Sequence, residues 1–427
     1  MSQPLLARPW YLSQGVGHLK QVVQMAECNP GAIPGPDLAF VKLNLAAAEK
    51  VEKAVEGGQP FVWLNISLPT EPFLAMDLPY LHIGDYMFSA IGAGRIEAIT
   101  EALDLAESIG SPSTACAFYK IPIGAIAAGQ YPTPSVMIAG SHPCQQAIAG
   151  WEVMGELVKA PIFYFEPPTR NDEATVDYLA EELQRMIGCL EKHTGKKMEV
   201  DRLREVVEES NQAQELSLEV SEMRKAVPCP LKSSFLNLTS GGRWHMGMPE
   251  TTALFREMHA EAVARIKRGD RAVPQEKFRV LWYDLGVLFT PIYDWLEKEW
   301  GAVVAMDLTS YNPEIFVDTS SYESMLKGLG RRFLNYEAMQ RVNHGLAVRF
   351  IDEFVRVYSD YKCNLAVYSG HYADKGRPVL LSILKEVCRE RSIPLLALPF
   401  DSFDPRVVSE KHIQDKISQF FSTVELL

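Results

Sequence analysis

CAFYKIPIGAIAAGQYPTPSVMIAGSHPCQQAIAGWEVMGELVKAPIFYFEPP, residues 116–168, decides the fold. PSVMIAGS (134–141) and APIFYFEPP (160–168) are short apolar runs bounded by Pro, Gly and Ser, the pattern of buried strands. The interval between them has the length and periodicity of a helix. Strand, helix and strand in that order predict a βαβ unit with parallel strands. Two thiols, Cys116 and Cys144, flank the first run, and we expect them at the carboxyl ends of strands, where open α/β sheets hold their ligands.

Upstream, residues 1–58 read as helical, with a Pro/Gly break at NPGAIPGPD (29–37). FVKLNLAAAEKVEKAVEGG (40–58) is an amphipathic helix closed by Gly57 and Gly58. FVWLNIS (61–67) is a strand, and Pro69 and Glu71 suit the helix start that follows it. LPYLHIGDY (78–86) reads as a second strand and RIEAITEALDLAESIG (95–110) as a helix.

Downstream, composition shifts to long, charged, helix-periodic segments at 172–195, 201–227 and 250–270, with SFLNLTSGGRWHMGMP (234–249) read as irregular. The last third returns to alternation. FRVLWYD (278–284), GAVVAMDLTS (301–310), LAVYSGH (365–371) and IPLLALPFDS (393–402) are strand-like and separated by helices. The predicted class is α/β: two doubly wound parallel-sheet domains with an intervening helical layer. The divisions fall at 1–170 (an N-terminal α/β domain carrying both thiols), 171–270 (the helical segment) and 271–427 (a C-terminal α/β domain). The two α/β units read as a structural duplication without a sequence repeat.

At 427 residues the chain is long enough for such cores, and 47% hydrophobic with 22% charged residues is ordinary for a globular protein. A net charge of −12, spread along the chain, argues against nucleic acid and anionic membrane as partners. No segment has the roughly 20 apolar residues of a membrane span, and the N-terminus does not resemble a signal peptide. Seven scattered cysteines, an odd number without a CxxC pair, fit a reducing cytoplasm and exclude zinc-ribbon and ferredoxin spacings. P-loop, GxGxxG, HExxH and GxSxG signatures are absent.

By spacing alone, Cys116 and Cys144 read as buried core thiols about two times in three. Context favours ligation: Cys144, in SHPCQQ, follows a strand and opens a helix. Cys189, Cys229 and Cys388 read as core or structural, and Cys363 lies at the strand end away from the site. His142 and His371 sit at strand ends, where a hydrogen-bonded loop histidine is the default. Lys120, Arg243 and Lys375 are candidate phosphate binders. Asp85 and Glu71 are candidate acid–base groups, with helix capping as the simpler role.

Taken in order, these segments resemble the 2-hydroxyacyl-CoA dehydratase and class I benzoyl-CoA reductase family over most of the chain. FVWLNISLPTEPFLAM is similar to the family's opening strand and Pro–x–Glu segment. LHIGDYMFSAIGAG is similar to its Pro–Glu–Asn–Tyr region. CAFYKIPIGAIAAG resembles the segment holding the first cluster cysteine, and PTPSVMIAGSHPC the strand leading to the second. GAVVAMDLTS resembles the middle strand of the second domain. IPLLALPFDSFDPRVVSEKHIQDKISQFF resembles the ending, with its Asp-Pro-Arg before a final helix.

The resemblance implies a subunit of an iron–sulfur enzyme. It would hold a [4Fe–4S] cluster, pair with a related like-sized subunit, and receive electrons from an ATP-hydrolysing iron–sulfur activator protein. The substrate would be a CoA thioester. A benzoyl-CoA reductase-like role, low-potential electron transfer and aromatic ring reduction, is the leading expectation. A 2-hydroxyacyl-CoA dehydratase subunit, or a non-catalytic partner with a decayed cluster site, is the alternative. Cys116 and Cys144 would be the metal ligands. The family's third cysteine is replaced by GHYADKG (370–376), where His371 or Asp374 would complete the site, and His371 and Asp85 are the expected catalytic groups. Ile83, Gly84 and Asp85 stand where the family's acidic Pro–Glu–Asn motif would be.

Overall fold

Each of the eight apolar runs becomes a strand, in a computed structural model that describes residues 9–142, 145–336, 338, 340–341, 347–371, 373–374 and 376–426. The first sheet holds β1 (Val62–Leu64), β2 (Tyr80–His82), β3 (Val136–Gly140) and β4 (Ile162–Phe165). The second holds β5 (Phe278–Trp282), β6 (Ala302–Asp307), β7 (Leu365–Tyr368) and β8 (Leu395–Ala397). Every pairing is parallel. The orders are β2-β1-β3-β4 and β6-β5-β7-β8, so the two sheets share one topology.

The strands lack polar alternation because helices cover both faces. β1, β3, β5 and β6 are buried along their whole length. The helix Gln145–Val158 makes the β3–β4 crossover that the opening stretch predicts. On one face of the first sheet, Trp63 packs with Leu103 and Trp151. On the other, Val62 and Ile138 pack with Leu179 and Leu183 of helix Glu173–Thr194 and with Met325 and Leu329 of helix Tyr322–Tyr336. The second sheet builds its core from Val280, Val304, Val367, Phe354 and Phe421.

Packing crosses the divisions drawn from chain order. Helix Glu173–Thr194, from the charged middle third, lies on the first sheet, and Tyr322–Tyr336 reaches back from the last third to join it. Helices Val200–Met223 and Pro249–Arg268 pack on each other and, with Gly35–Glu56, form a further apolar cluster around Leu43, Leu254, Phe255 and Met258.

One expectation is corrected. The Gly-rich stretch 234–249 is not irregular throughout, because Phe235–Arg243 is helical. Its glycines serve close packing. A Cβ on Gly241 would stand 2.6 Å from the Phe40 ring, and one on Gly242 2.9 Å from Leu254.

Candidate functional site

In each sheet the chain leaves the first strand to one side, then crosses to the other, so a crevice opens at the carboxyl ends of β1/β3 and of β5/β7. Both crevices open on one cavity of about 740 Å³. Asn65, Ile66 and Ser67 reach it from the end of β1, Leu285–Leu288 from the end of β5, and His371, Asp374 and Arg377 from the turn after β7. Helices Trp10–Cys28 and Gly35–Glu56 close it with Leu12, Leu19, Val41 and Val51. Phe88, Phe118, Trp244 and Phe403 line its interior.

Four of the expected site residues, Asp85, Cys116, His371 and Asp374, line this cavity. Cys144 lies outside the described residues, as does Lys375. Cys116 is buried, but it does not follow a strand as expected. It comes after helix Ile96–Ser108 and is the N-cap residue of helix Ala117–Ala127. The segment between helix Ile96–Ser108 and β3 forms a second helix, not a strand. The amino end of that helix puts its positive pole beside the sulfur.

Cys116 Sγ lies 3.2 Å from His371 Nε2. On the far side of the ring, the Ser402 N–H donates to Nδ1 at 3.3 Å, and the Asp401 carboxylate stands 3.7 Å away. Burial, and then the neighbouring Arg377 guanidinium, push His371 down to about 4, so the ring is neutral. Asp401 is raised to about 6 by its own burial, against the N–H groups of Phe403 and Ala117 that it accepts.

Gln146 clamps the two loops together. Its Oε1 accepts the Cys116 N–H at 2.5 Å, and its Nε2 donates to the Ala373 carbonyl at 2.6 Å. Asp374 accepts from the Gly376 N–H at 3.0 Å and from Arg377 Nε at 3.3 Å. Arg377 also pairs with the buried Asp284.

Asp85, at the start of helix Asp85–Gly92, is half-buried on the cavity wall. Burial raises it to about 7, against the pull of the His82 N–H, which it accepts at 2.9 Å. Nearby, His82 and His245 are pushed down to about 4 and about 3 by burial and are neutral. His245 Nδ1 is 3.0 Å from the Tyr80 hydroxyl, and His82 Nε2 is 3.1 Å from the Trp244 carbonyl.

The other candidates have structural partners. Lys120 Nζ is buried on Glu107 (2.7 Å) and the Ser113 carbonyl (3.0 Å). Glu71 meets Arg332 at 2.9 Å and Ser210 at 2.7 Å. Arg243 Nη1, on the cavity wall, donates to the Thr309 and Tyr311 carbonyls. His142 packs edge-on against Phe333.

Sequence reasoning missed Gln146, Ser402 and the pair His82–His245. Gln146 carries a usable signal, standing two residues past Cys144 at a helix start. His245 carries none, since nothing in its segment predicts the approach to Tyr80. Among the described residues, no three His, Cys, Asp or Glu side chains gather as a metal site. In donor chemistry, Cys116 alone fits an iron–sulfur group here: a buried thiol at a helix N-cap on the wall of a largely apolar cavity. Among the described residues, no helix is long and apolar enough to cross a membrane.

Compared with known proteins, the chain matches at residues 65–424 the family described as 2-hydroxyglutaryl-CoA dehydratase, D-component. It is 23% identical over 412 residues to the (R)-2-hydroxyisocaproyl-CoA dehydratase alpha subunit of Clostridioides difficile, covering 91% of this chain and 96% of that one. It is 22% identical over 354 residues to a benzoyl-CoA reductase subunit of Thauera aromatica, covering 75% and 79%. It is 21% identical over 394 residues to the (R)-phenyllactyl-CoA dehydratase alpha subunit of Clostridium sporogenes, covering 86% and 89%.

Proposed function

Because the chain belongs to the 2-hydroxyglutaryl-CoA dehydratase D-component family, we propose that it is one subunit of an iron–sulfur enzyme acting on a CoA thioester. The observation that carries this reading is the single cavity at both sheet crevices, with Cys116, His371 and Asp85 on its wall. Cys116 and Cys144 would hold a [4Fe–4S] cluster through their sulfurs. When bound, that cluster would supply low-potential electron chemistry at the cavity, with the electron provided by an ATP-hydrolysing iron–sulfur activator protein. A related, like-sized subunit completes the enzyme, a reading supported by relatives that are themselves named as subunits of dehydratases and of a reductase.

The chain's own residues prepare the site. Phe88, Phe118, Trp244 and Phe403 exclude water and accept an apolar acyl group. Asp85, raised to about 7, holds its proton near neutral pH and can release it to a base of similar strength, as an acid–base group requires. His371 borders the thiol from the turn after β7, and Asp374 of the same turn lies on the cavity wall.

Aromatic ring reduction of the benzoyl-CoA reductase kind is the leading reaction. Elimination of water from a 2-hydroxyacyl-CoA is the second reading, favoured by the acid–base character of Asp85. The test is anaerobic: copurify the chain with its partner subunit, measure iron and acid-labile sulfide, and supply activator and ATP with benzoyl-CoA or a 2-hydroxyacyl-CoA. A brown protein that consumes one of the two is expected. Colourless, iron-free protein after anaerobic reconstitution would overturn the reading.

A further inference from the structure

The turn 370–376 offers two side chains, His371 and Asp374, where a third ligand would be sought. Their hydrogen bonds separate them. Both carboxylate oxygens of Asp374 are engaged on their own turn, one by the Gly376 N–H and one by Arg377 Nε. His371 instead points its Nε2 at Cys116 Sγ, 3.2 Å away.

The opposite nitrogen fixes what Nε2 carries. A backbone N–H can only donate, so Nδ1, facing the Ser402 N–H at 3.3 Å, accepts. The competing partner, Asp401 Oδ1, stands 3.7 Å away, beyond hydrogen-bond reach. The Asp401 carboxylate is occupied by the Phe403 N–H at 2.9 Å and the Ala117 N–H at 3.2 Å. An imidazole whose Nδ1 accepts an N–H carries its ring proton on Nε2. That proton lies on the line to the sulfur.

We infer that His371 is a tautomer-locked N–H donor to Cys116 Sγ, a positioning residue that tunes the thiolate, and not the third ligand of the metal group. The statement about iron rests on the cluster reading above; the statement about the tautomer stands without it. A nitrogen that presents a proton has no lone pair to give a metal. A hydrogen bond to a ligating sulfur withdraws charge from it and favours the reduced, more negative cluster, which raises the reduction potential. Two helix-capped loops from different domains thereby meet at one N–H···S contact. The Gln146 amide, bonded to the Cys116 N–H and the Ala373 carbonyl, keeps them in register.

The test uses the full chain labelled with 15N-histidine, as wild type, His371→Gln and His371→Ala. In the metal-free protein, long-range 1H–15N spectra report the tautomer, and the resonance missing from His371→Gln assigns it. Protonated Nε2 is expected; protonated Nδ1 would overturn the inference. In the anaerobically reconstituted protein, pulsed EPR distinguishes a directly bound nitrogen from one a hydrogen bond away. The expected result is weak coupling only, full iron content in both variants, and a lower midpoint potential in His371→Ala than in His371→Gln or wild type. Strong nitrogen coupling in wild type, or loss of iron in both variants while wild type keeps it, would overturn it. Wild type that takes up no iron sinks the cluster reading alone, and the metal-free spectra then decide the tautomer.

Discussion

Cys116 Sγ and His371 Nε2 are 3.2 Å apart, although 255 residues of chain separate them. One caps a helix of the first α/β unit, and the other follows the third strand of the second. The contact joins the halves of a duplicated fold at their carboxyl edges, and the cavity beside it is walled by both.

On the cluster reading, Cys116→Ser should abolish iron binding or reduce it severely while leaving the fold intact, since the exchange replaces a soft sulfur with a hard oxygen at nearly constant volume. Cys144→Ser should do the same. Iron and sulfide analysis beside circular dichroism checks both. Full iron content in either variant would remove that residue from the ligand set.

Asp85 links stability to pH. Its folded-state value, about 7, lies above the ordinary 3.8, so the folded protein holds the proton more tightly than the unfolded chain. Stability from this group is therefore undiminished below pH 4 and declines as pH rises towards 7. Asp85→Asn keeps an acceptor for the His82 N–H and should stabilise the protein at pH 8 by up to about 4 kcal/mol, less where water fills the cavity. The gain should vanish near pH 4, as urea titrations at the two pH values would reveal.

Arg332 and Glu71 form a buried pair at 2.9 Å, joined to Ser210 and Asn211. It ties the start of helix Glu71–Ala75, which follows β1, to helices Val200–Met223 and Tyr322–Tyr336. Arg332→Met strands a buried carboxylate and should cost about 3–5 kcal/mol. Adding Glu71→Met should recover a large part of that loss. A double-mutant cycle by denaturant unfolding measures the coupling, and additive effects would count against it.

Gly124 sits where helices Ala117–Ala127 and Ile96–Ser108 touch. A Cβ there would stand 1.8 Å from the Ala102 carbonyl oxygen. Gly124→Ala should therefore destabilise by about 1–3 kcal/mol or more, since backbone must move. The urea midpoint should fall with an unchanged slope. A neutral substitution would mean that the helices separate freely.

Strand positions were legible because a parallel strand covered on both faces is apolar along most of its length, as in VMIAG (136–140) and AVVAM (302–306). The segment around Phe235 was not, because Gly241 and Gly242 read locally as loop residues but serve contacts with Phe40 and Leu254, which are distant in sequence. Cys116 was found through its motif but misplaced relative to the strands. A cysteine between two helices and one at a strand end look alike when only local pattern is available.

The sequence by itself determined the class of fold, the eight strands, and Asp85, Cys116 and His371 as residues of interest, because periodicity and residue chemistry are local properties; Asp374 entered through the family resemblance alone. Only the tertiary structure decided that these four share one cavity, that Gln146 clamps the two loops, and which nitrogen of His371 faces the sulfur. That last choice depends on a backbone N–H of Ser402, 31 residues away, brought to the ring by the packing of the second sheet. A hydrogen-bond partner distant in the chain leaves no periodic or compositional trace.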